Sequence, residues 1–156
     1  MVSTWNEASL SAVKTIFTLI IRSKDASASP LRRGLDEFIA TLYDRPAGKE
    51  KATAHFSNIA ADALEIARLR GIDLTVDEIH RTLVRKQRDY GPENIRRFGR
   101  QGLMVRLHDK VARLENLDGD GRQPENESIR DTFMDIVGYC AIGMMWERNE
   151  FLLPLV

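Results

Sequence analysis

A single cysteine occurs in the 156 residues, so neither a disulfide framework nor a CxxC zinc signature can hold the chain together. None is needed, because folding at this length removes well over half of the unfolded surface from water. Cys140 sits in the apolar run IVGYCAIGMMW and reads as a small buried thiol with no chemistry of its own. Charge of one sign is also missing: 23 Lys and Arg balance 23 Asp and Glu, which excludes the long-range positive field of a general nucleic-acid binder and leaves only local patches. No apolar run is long enough to span a bilayer. The most apolar early segment, Ala12 to Arg22, is too short and is interrupted by Lys14, so it reads as a core helix. Met1 to Leu10 is polar, with Glu7 and no base, which is unlike a secretory signal. The expectation is a protein without a membrane partner that stays in the reducing cytoplasm where it is made. His55, His80 and His108 show no HExxH or HxxxH spacing and are not read as zinc ligands.

The strict alternation of a half-buried strand is absent as well, whereas 3.6-residue periodicity returns repeatedly, so the class is all-α, a bundle of about five to six helices forming one domain over 1–156. A first helix is expected from Thr4 to about Ser23, with Val13, Ile16, Phe17 and Ile20 inward. Pro30 opens a second, carrying Leu31, Leu35, Phe38, Ile39 and Leu42. A third carries Phe56, Ile59, Ala63, Ile66 and Leu69 up to its C-terminal Gly71. Thr75 to Glu78 has the form of a capping box for a fourth helix, which stops near Tyr90-Gly91-Pro92. Leu103, Leu107, Val111 and Leu114 define a fifth, which ends in the polar segment DGDGRQPEN. That segment fails as a calcium loop, since Arg122 and Gln123 stand where an oxygen ligand and a glycine are required. Asn126 is the expected cap of the last helix, with Ile129, Phe133, Ile136, Val137, Cys140 and Met144 inward. The tail FLLPLV is apolar enough to dock on the body or on another subunit, and a homo-oligomer is expected.

Three groups of residues can carry chemistry. Around the Asp89-Tyr90-Gly91-Pro92 turn, Lys86, Arg96, Arg97 and Arg100 can cradle a phosphate with exposed backbone N–H groups, or the turn can simply end a helix with solvated bases nearby. On the fifth helix Arg106, Asp109, Lys110 and Arg113 stand at i, i+3, i+4 and i+7, as an exposed ion-pair ladder or as a face turned to a ligand. On the last helix Glu127, Asp131 and Asp135 recur every four residues, and Asp135 enters a segment that turns almost wholly apolar. A carboxylate there must be paired, protonated or metal-bound. Asp109, Asp131 and Asp135 offer the hard oxygens that magnesium uses, and a buried ion-pair network accounts for the same pattern equally well.

The run KQRDYGPENIRRFGRQGLMVRLHDKVARLENL, followed by NESIRDTFMDIVGYCAIGMM, resembles the nucleotide modification associated domain 1 family of phage and bacterial proteins. Lys86, Asp89-Tyr90-Gly91, Asn94, Phe98-Gly99, Gly102-Leu103, Arg106, Asp109-Lys110, Arg113-Leu114, Glu127-Ser128, Asp131 and Asp135 carry the likeness. It covers roughly the C-terminal half, leaving 1–75 as a helical part without a recognised motif and 76–150 as the family-like part. More loosely, the acidic helices are similar to the all-α MazG and dimeric dUTPase kind of nucleoside triphosphate pyrophosphohydrolase, which hold magnesium on an ExxE motif and an ExxD motif.

The resemblance implies a phage-type nucleotide-handling protein, in the host cytoplasm if phage-encoded. In the enzymatic version magnesium sits on Asp109, Asp131 and Asp135, which are then the catalytic residues in hydrolysis of a (deoxy)nucleoside triphosphate to monophosphate and pyrophosphate. Lys86, Arg106, Lys110 and Arg113 offset phosphate charge, Tyr90 or Phe98 stacks on the base, and Asp89 and Asn94 complete the substrate-binding set. The sequence departs from the hydrolase pattern: Arg113 follows Asp109 by one turn and breaks the first acidic pair. That departure admits a protein that binds or sequesters a nucleotide without cutting it. A helical assembly protein with purely structural charges is the remaining alternative.

Overall fold

A computed structural model of the chain describes residues 1–19, 23–121, 123–125 and 127–156. Among these residues it has seven helices and no strand: α1 (Trp5–Thr18), α2 (Ser29–Ala40), α3 (Lys49–Leu69), α4 (Val76–Tyr90), α5 (Glu93–Arg96), α6 (Gly99–Asp120) and α7 (Ile129–Glu147). The all-α expectation holds, with one addition. The segment after Pro92 forms the short helix α5, which holds Arg96, where a plain turn was expected.

Local chemistry sets the helix ends. Thr4, Thr75 and Ser128 each accept the N–H three residues on, from Glu7, Glu78 and Asp131, and so satisfy a donor that the first turn leaves unpaired. The last helix is thus capped by Ser128, while Asn126, the expected cap, lies outside the described residues. The Glu78 carboxylate is shared, one oxygen accepting from the Thr75 hydroxyl at 3.3 Å and the other pairing with Arg130 of α7. Gly71, at φ +80°, ends α3 in a Schellman turn: its N–H reaches Arg68 C=O and the Ile72 N–H reaches Ala67 C=O. The first helix is shorter than expected and stops at Thr18, with Phe17 left 37% exposed; Ile20 lies outside the described residues.

Helix α7 is the centre of the molecule. Its Phe133, Ile136, Val137, Cys140 and Met144 are wholly buried, and its longest interface is with α3. A Cβ on Gly143 would come within 2.5 Å of the Phe56 ring, so glycine is what lets these two helices close. Helices α6, α1 and α4 cover the remaining sides of α7, and α2 bridges α3 and α6. This is why the sequence of α7 is apolar nearly all round instead of in a stripe.

The tail packs on its own chain. Phe151 is buried with its ring 6.2 Å from those of Trp5 and Trp146, and Trp5 N–H donates to Pro154 C=O at 2.8 Å. The Asn6 amide both donates to Val156 C=O and accepts from Val156 N–H. Met144 and Met145 belong to the core. The dock on the chain's own body thus takes Phe151, while Leu152 and Val156 stay 55% and 73% exposed. Among the described residues no helix is long and apolar enough to cross a membrane.

Candidate functional site

The geometry of α6 grades the residues that the sequence placed on one face. At ~100° per residue, Lys110 stands about 60° from the Leu107 direction, Arg106 and Arg113 about 100–120°, and Asp109 about 160°, almost opposite the buried stripe. Lys110 accordingly leans into the interface with α7 with its side chain 20% exposed, whereas Asp109 is exposed and makes no ion pair among the described residues. On α7, Asp135 stands about 200° from Phe133, away from the α3 side. It is partly buried all the same, because α4 and α6 pack over that side.

Asp135 meets two ammonium groups there. Lys86 Nζ of α4 lies 2.8 Å from Oδ1 and Lys110 Nζ of α6 lies 2.9 Å from Oδ2, with the aspartate side chain 15% exposed. Lys110 continues to Glu127 at 2.9 Å, so four charges alternate across three helices and the loop before α7: Lys86, Asp135, Lys110, Glu127. Burial by itself raises the Asp135 pKa, but the hydrogen bonds from Lys86 and Lys110 outweigh it and hold the carboxyl below the usual aspartate value. Lys110 is the mirror case: burial pulls its pKa down, and Glu127 and Asp135 together raise it above the ordinary lysine value. Arg113 supports the same corner by donating to the Thr132 hydroxyl and to the Glu127 backbone carbonyl.

This arrangement bears on the magnesium set. Among the described residues no three His, Cys, Asp or Glu side chains come together as an ion's ligands require. Asp109 points to the far side of α6, Asp131 is exposed, and both Asp135 oxygens face ammonium groups. The expected meeting of Asp109 with Asp135 across two packed helices is therefore corrected. In this arrangement the positive charge beside Asp135 is supplied by lysine.

A cleft of about 960 Å³ opens beside the network, between α4 and α7 with Asn6 of α1 at its end. Its walls carry Arg81, Arg85, Lys86, Arg88 and Arg130 as well as Glu78, Glu127, Asp131 and Asp135. Arg130 is paired with Glu78, and Arg81 with Asp77. Arg85 donates to the Thr82 hydroxyl and Arg88 to Val156 C=O; neither makes an ion pair with a carboxylate among the described residues. Arg81, Arg85 and Arg88 stand at i, i+4 and i+7 of α4, so helical spacing carried the signal for this wall. It was hidden by the conspicuous bases that follow Pro92.

The other expected substrate-binding residues divide. Asp89 and Tyr90 are exposed at the end of α4. Asn94, Phe98 and Arg106 line a second pocket of about 400 Å³ between α5 and the start of α6. The Arg106 guanidinium donates to Asn94 C=O at 3.4 Å and lies 5.8 Å from the centre of the Tyr139 ring. Arg100, one of the bases offered for phosphate, is fully engaged elsewhere: it grips Glu147 at 2.6 and 2.8 Å and Ala47 C=O at 2.8 Å.

Residues 86–146 match the family model of nucleotide modification associated domain 1. The matched segment begins at Lys86 and contains every member of the four-charge network, together with Asn94, Phe98 and Arg106. Helices α1 to α3 lie outside it. Comparison with curated proteins gives no match, and comparison with solved structures gives none either.

Proposed function

We propose that the cleft between α4 and α7 binds the phosphates of a (deoxy)nucleotide, and that the protein holds this ligand without needing to cut it. The observation that supports the reading most is the sharing of Asp135 between two lysines. Lys86 is half exposed at the cleft wall, so it can turn to a phosphate while Lys110 keeps Asp135 paired. A buried carboxylate is not stranded by the exchange, which keeps its cost small. Arg85 and Arg88, without carboxylate partners among the described residues, add the planar donors that suit phosphate oxygens. The description of the family matched over 86–146 fits a nucleotide ligand.

A second reading has one observation in its favour. Glu127, Asp131 and Asp135 line the same cleft, so a triphosphate arriving with magnesium would meet a carboxylate stripe, as hydrolysis to monophosphate and pyrophosphate requires. The two readings differ in sign for one variant. If the site only binds phosphate, Asp135→Asn removes a competitor for Lys86 and tightens binding of inorganic tripolyphosphate. If Asp135 serves a metal, the same change abolishes magnesium-dependent binding and pyrophosphate release.

The experiment is a thermal-shift and calorimetric titration with deoxynucleoside triphosphates and tripolyphosphate, with and without magnesium, at low and raised salt. Binding to the native state alone raises the apparent stability by about 2.7 kcal/mol at a hundredfold excess over Kd. The shift should shrink in Lys86→Gln and as salt screens the cleft. Absence of any shift with every triphosphate in both metal conditions sinks the proposal, and pyrophosphate release with magnesium moves it to the second reading.

A further inference from the structure

The pocket between α5 and α6 has a feature that packing alone does not explain. Asn94 Oδ1 is fully buried and has no hydrogen-bond partner among the described residues. Nearly all such groups in folded proteins are satisfied, so this enclosed oxygen on a pocket-lining side chain is an acceptor left for a donor that meets it once the Asn94 amide turns toward the pocket. The pocket itself, about 400 Å³, lies within the range of small-molecule sites. Its rim carries Phe98, a ring left 69% exposed, and Val105, left 61% exposed. Phe98 is set close against α6 because Gly102 has no Cβ; one would come within 2.8 Å of the Phe98 Cβ.

The pocket also adjoins the charge network. Arg106, on its wall, precedes Lys110 by one helical turn, about 6 Å along α6. The same guanidinium lies over Tyr139, whose ring lines the small hollow where Lys86 and Asp135 meet. An apolar slot with one buried acceptor and an exposed aromatic ring therefore stands beside a row of cations.

We infer that this pocket takes the base of the nucleotide whose phosphates the α4–α7 cleft binds: a flat heterocycle that stacks on Phe98 and presents an N–H or amino edge to the Asn94 amide, whose oxygen turns into the pocket to accept it. The inference rests on the proposed phosphate site for its second half, and the test separates the two.

Three probes are titrated: nucleoside triphosphates, inorganic tripolyphosphate and the free nucleosides, the last by ligand-observed NMR. The proteins are the full chain and its Phe98→Ala and Asn94→Ala variants. Loss of a stacked base costs on the order of tenfold in affinity. In both variants nucleoside triphosphate binding should fall about tenfold, with tripolyphosphate binding unchanged. Asn94→Ala should not lower Tm, since it removes an unpaired buried acceptor; a residue kept for structure alone would behave oppositely.

Nucleosides that bind the wild type and lose contact in the variants support the pocket even where tripolyphosphate fails to bind, and in that case the phosphate cleft is what falls. Triphosphates that bind no better than tripolyphosphate, or bind Phe98→Ala as well as wild type, overturn the base pocket and leave the cleft standing. If none of the three probes binds, both are overturned.

Discussion

Two carboxylates of α7, twelve positions apart in sequence, are held in opposite ways. Glu147, at the C-terminal end, is gripped by a single arginine through two parallel hydrogen bonds of 2.6 and 2.8 Å, with the glutamate side chain 4% exposed. Arg100 is itself pinned by Ala47 C=O, and its pKa is raised chiefly by the hydrogen bonds to Glu147. Asp135 is held by two lysines through single contacts, one of them from a half-exposed side chain at the wall of a cleft. Arginine offers a rigid fork whose geometry fits one carboxylate, whereas lysine offers a compact charge on a flexible stem. The first arrangement fixes the α6–α7 junction. The second can exchange a partner without leaving a charge unpaired, which is what a binding site requires.

The comparison breaks first at Glu147. Glu147→Gln removes the negative half of a buried pair and strands the Arg100 guanidinium, a change that costs about 3–5 kcal/mol when the partner cannot reach water. The midpoint of urea unfolding should fall accordingly, with nucleotide affinity preserved in the folded fraction. A loss below about 1 kcal/mol, the range of an exposed pair, would show that Arg100 reaches solvent and that the two sites do not differ in kind.

Asp135→Asn should cost less, about 1–2 kcal/mol, because Lys86 can turn to water and Lys110 keeps Glu127. A fall as large as that of Glu147→Gln would make Asp135 a second clamp and remove the argument that Lys86 is free to exchange. The Lys110→Met change in the same background sharpens the point. If Lys110 is the partner that keeps Asp135 satisfied, the effects of the two substitutions should be less than additive by at least about 0.5 kcal/mol.

The same contrast explains what the sequence could reveal. Helical periodicity marks Val13, Ile16, Leu103, Leu107 and Phe133 as core, and each is buried, because a stripe reports a face from local information alone. Thr75 and Gly71 were legible for the same reason, since a cap and a Schellman turn involve neighbours in the chain. The partners of Asp135 were half legible. Lys110 and Lys86 both stood among the phosphate candidates, but Lys86 is 49 residues from Asp135 and reaches it only because α4 packs on α7. Four spaced charges on α6 looked equivalent, and the packing separated Lys110 from Asp109 by burying one side of that face. The Arg100–Glu147 clamp gave no signal, because the bases around Arg100 resembled a phosphate site and nothing local ties them to the end of α7. The small interhelical pocket was foreshadowed by Asn94 and Phe98, yet only the folded chain shows the amide oxygen enclosed.

The smallest effect is a pH profile, and it tests whether the Asp135 network behaves as a unit. Asp135 has its pKa lowered below the ordinary 3.8. Its contribution to stability is thus complete above that value and is lost as pH falls through the folded pKa. Lys110 has its pKa raised above the ordinary 10.5, so its contribution is complete below that value and is lost as pH rises through the folded pKa. The stability difference between wild type and Asp135→Asn should therefore be flat from about pH 4 to pH 10 and should narrow on both sides. The histidines do not enter this difference directly: His55 and His80 have pKa values lowered mainly by burial, which makes both proteins less stable as pH drops below the ordinary 6.5. Urea unfolding of the two proteins across this range isolates the network by subtraction. A difference that already narrows near pH 6 would mean that Asp135 titrates far above its expected range, and the two lysines would then not be holding it ionised.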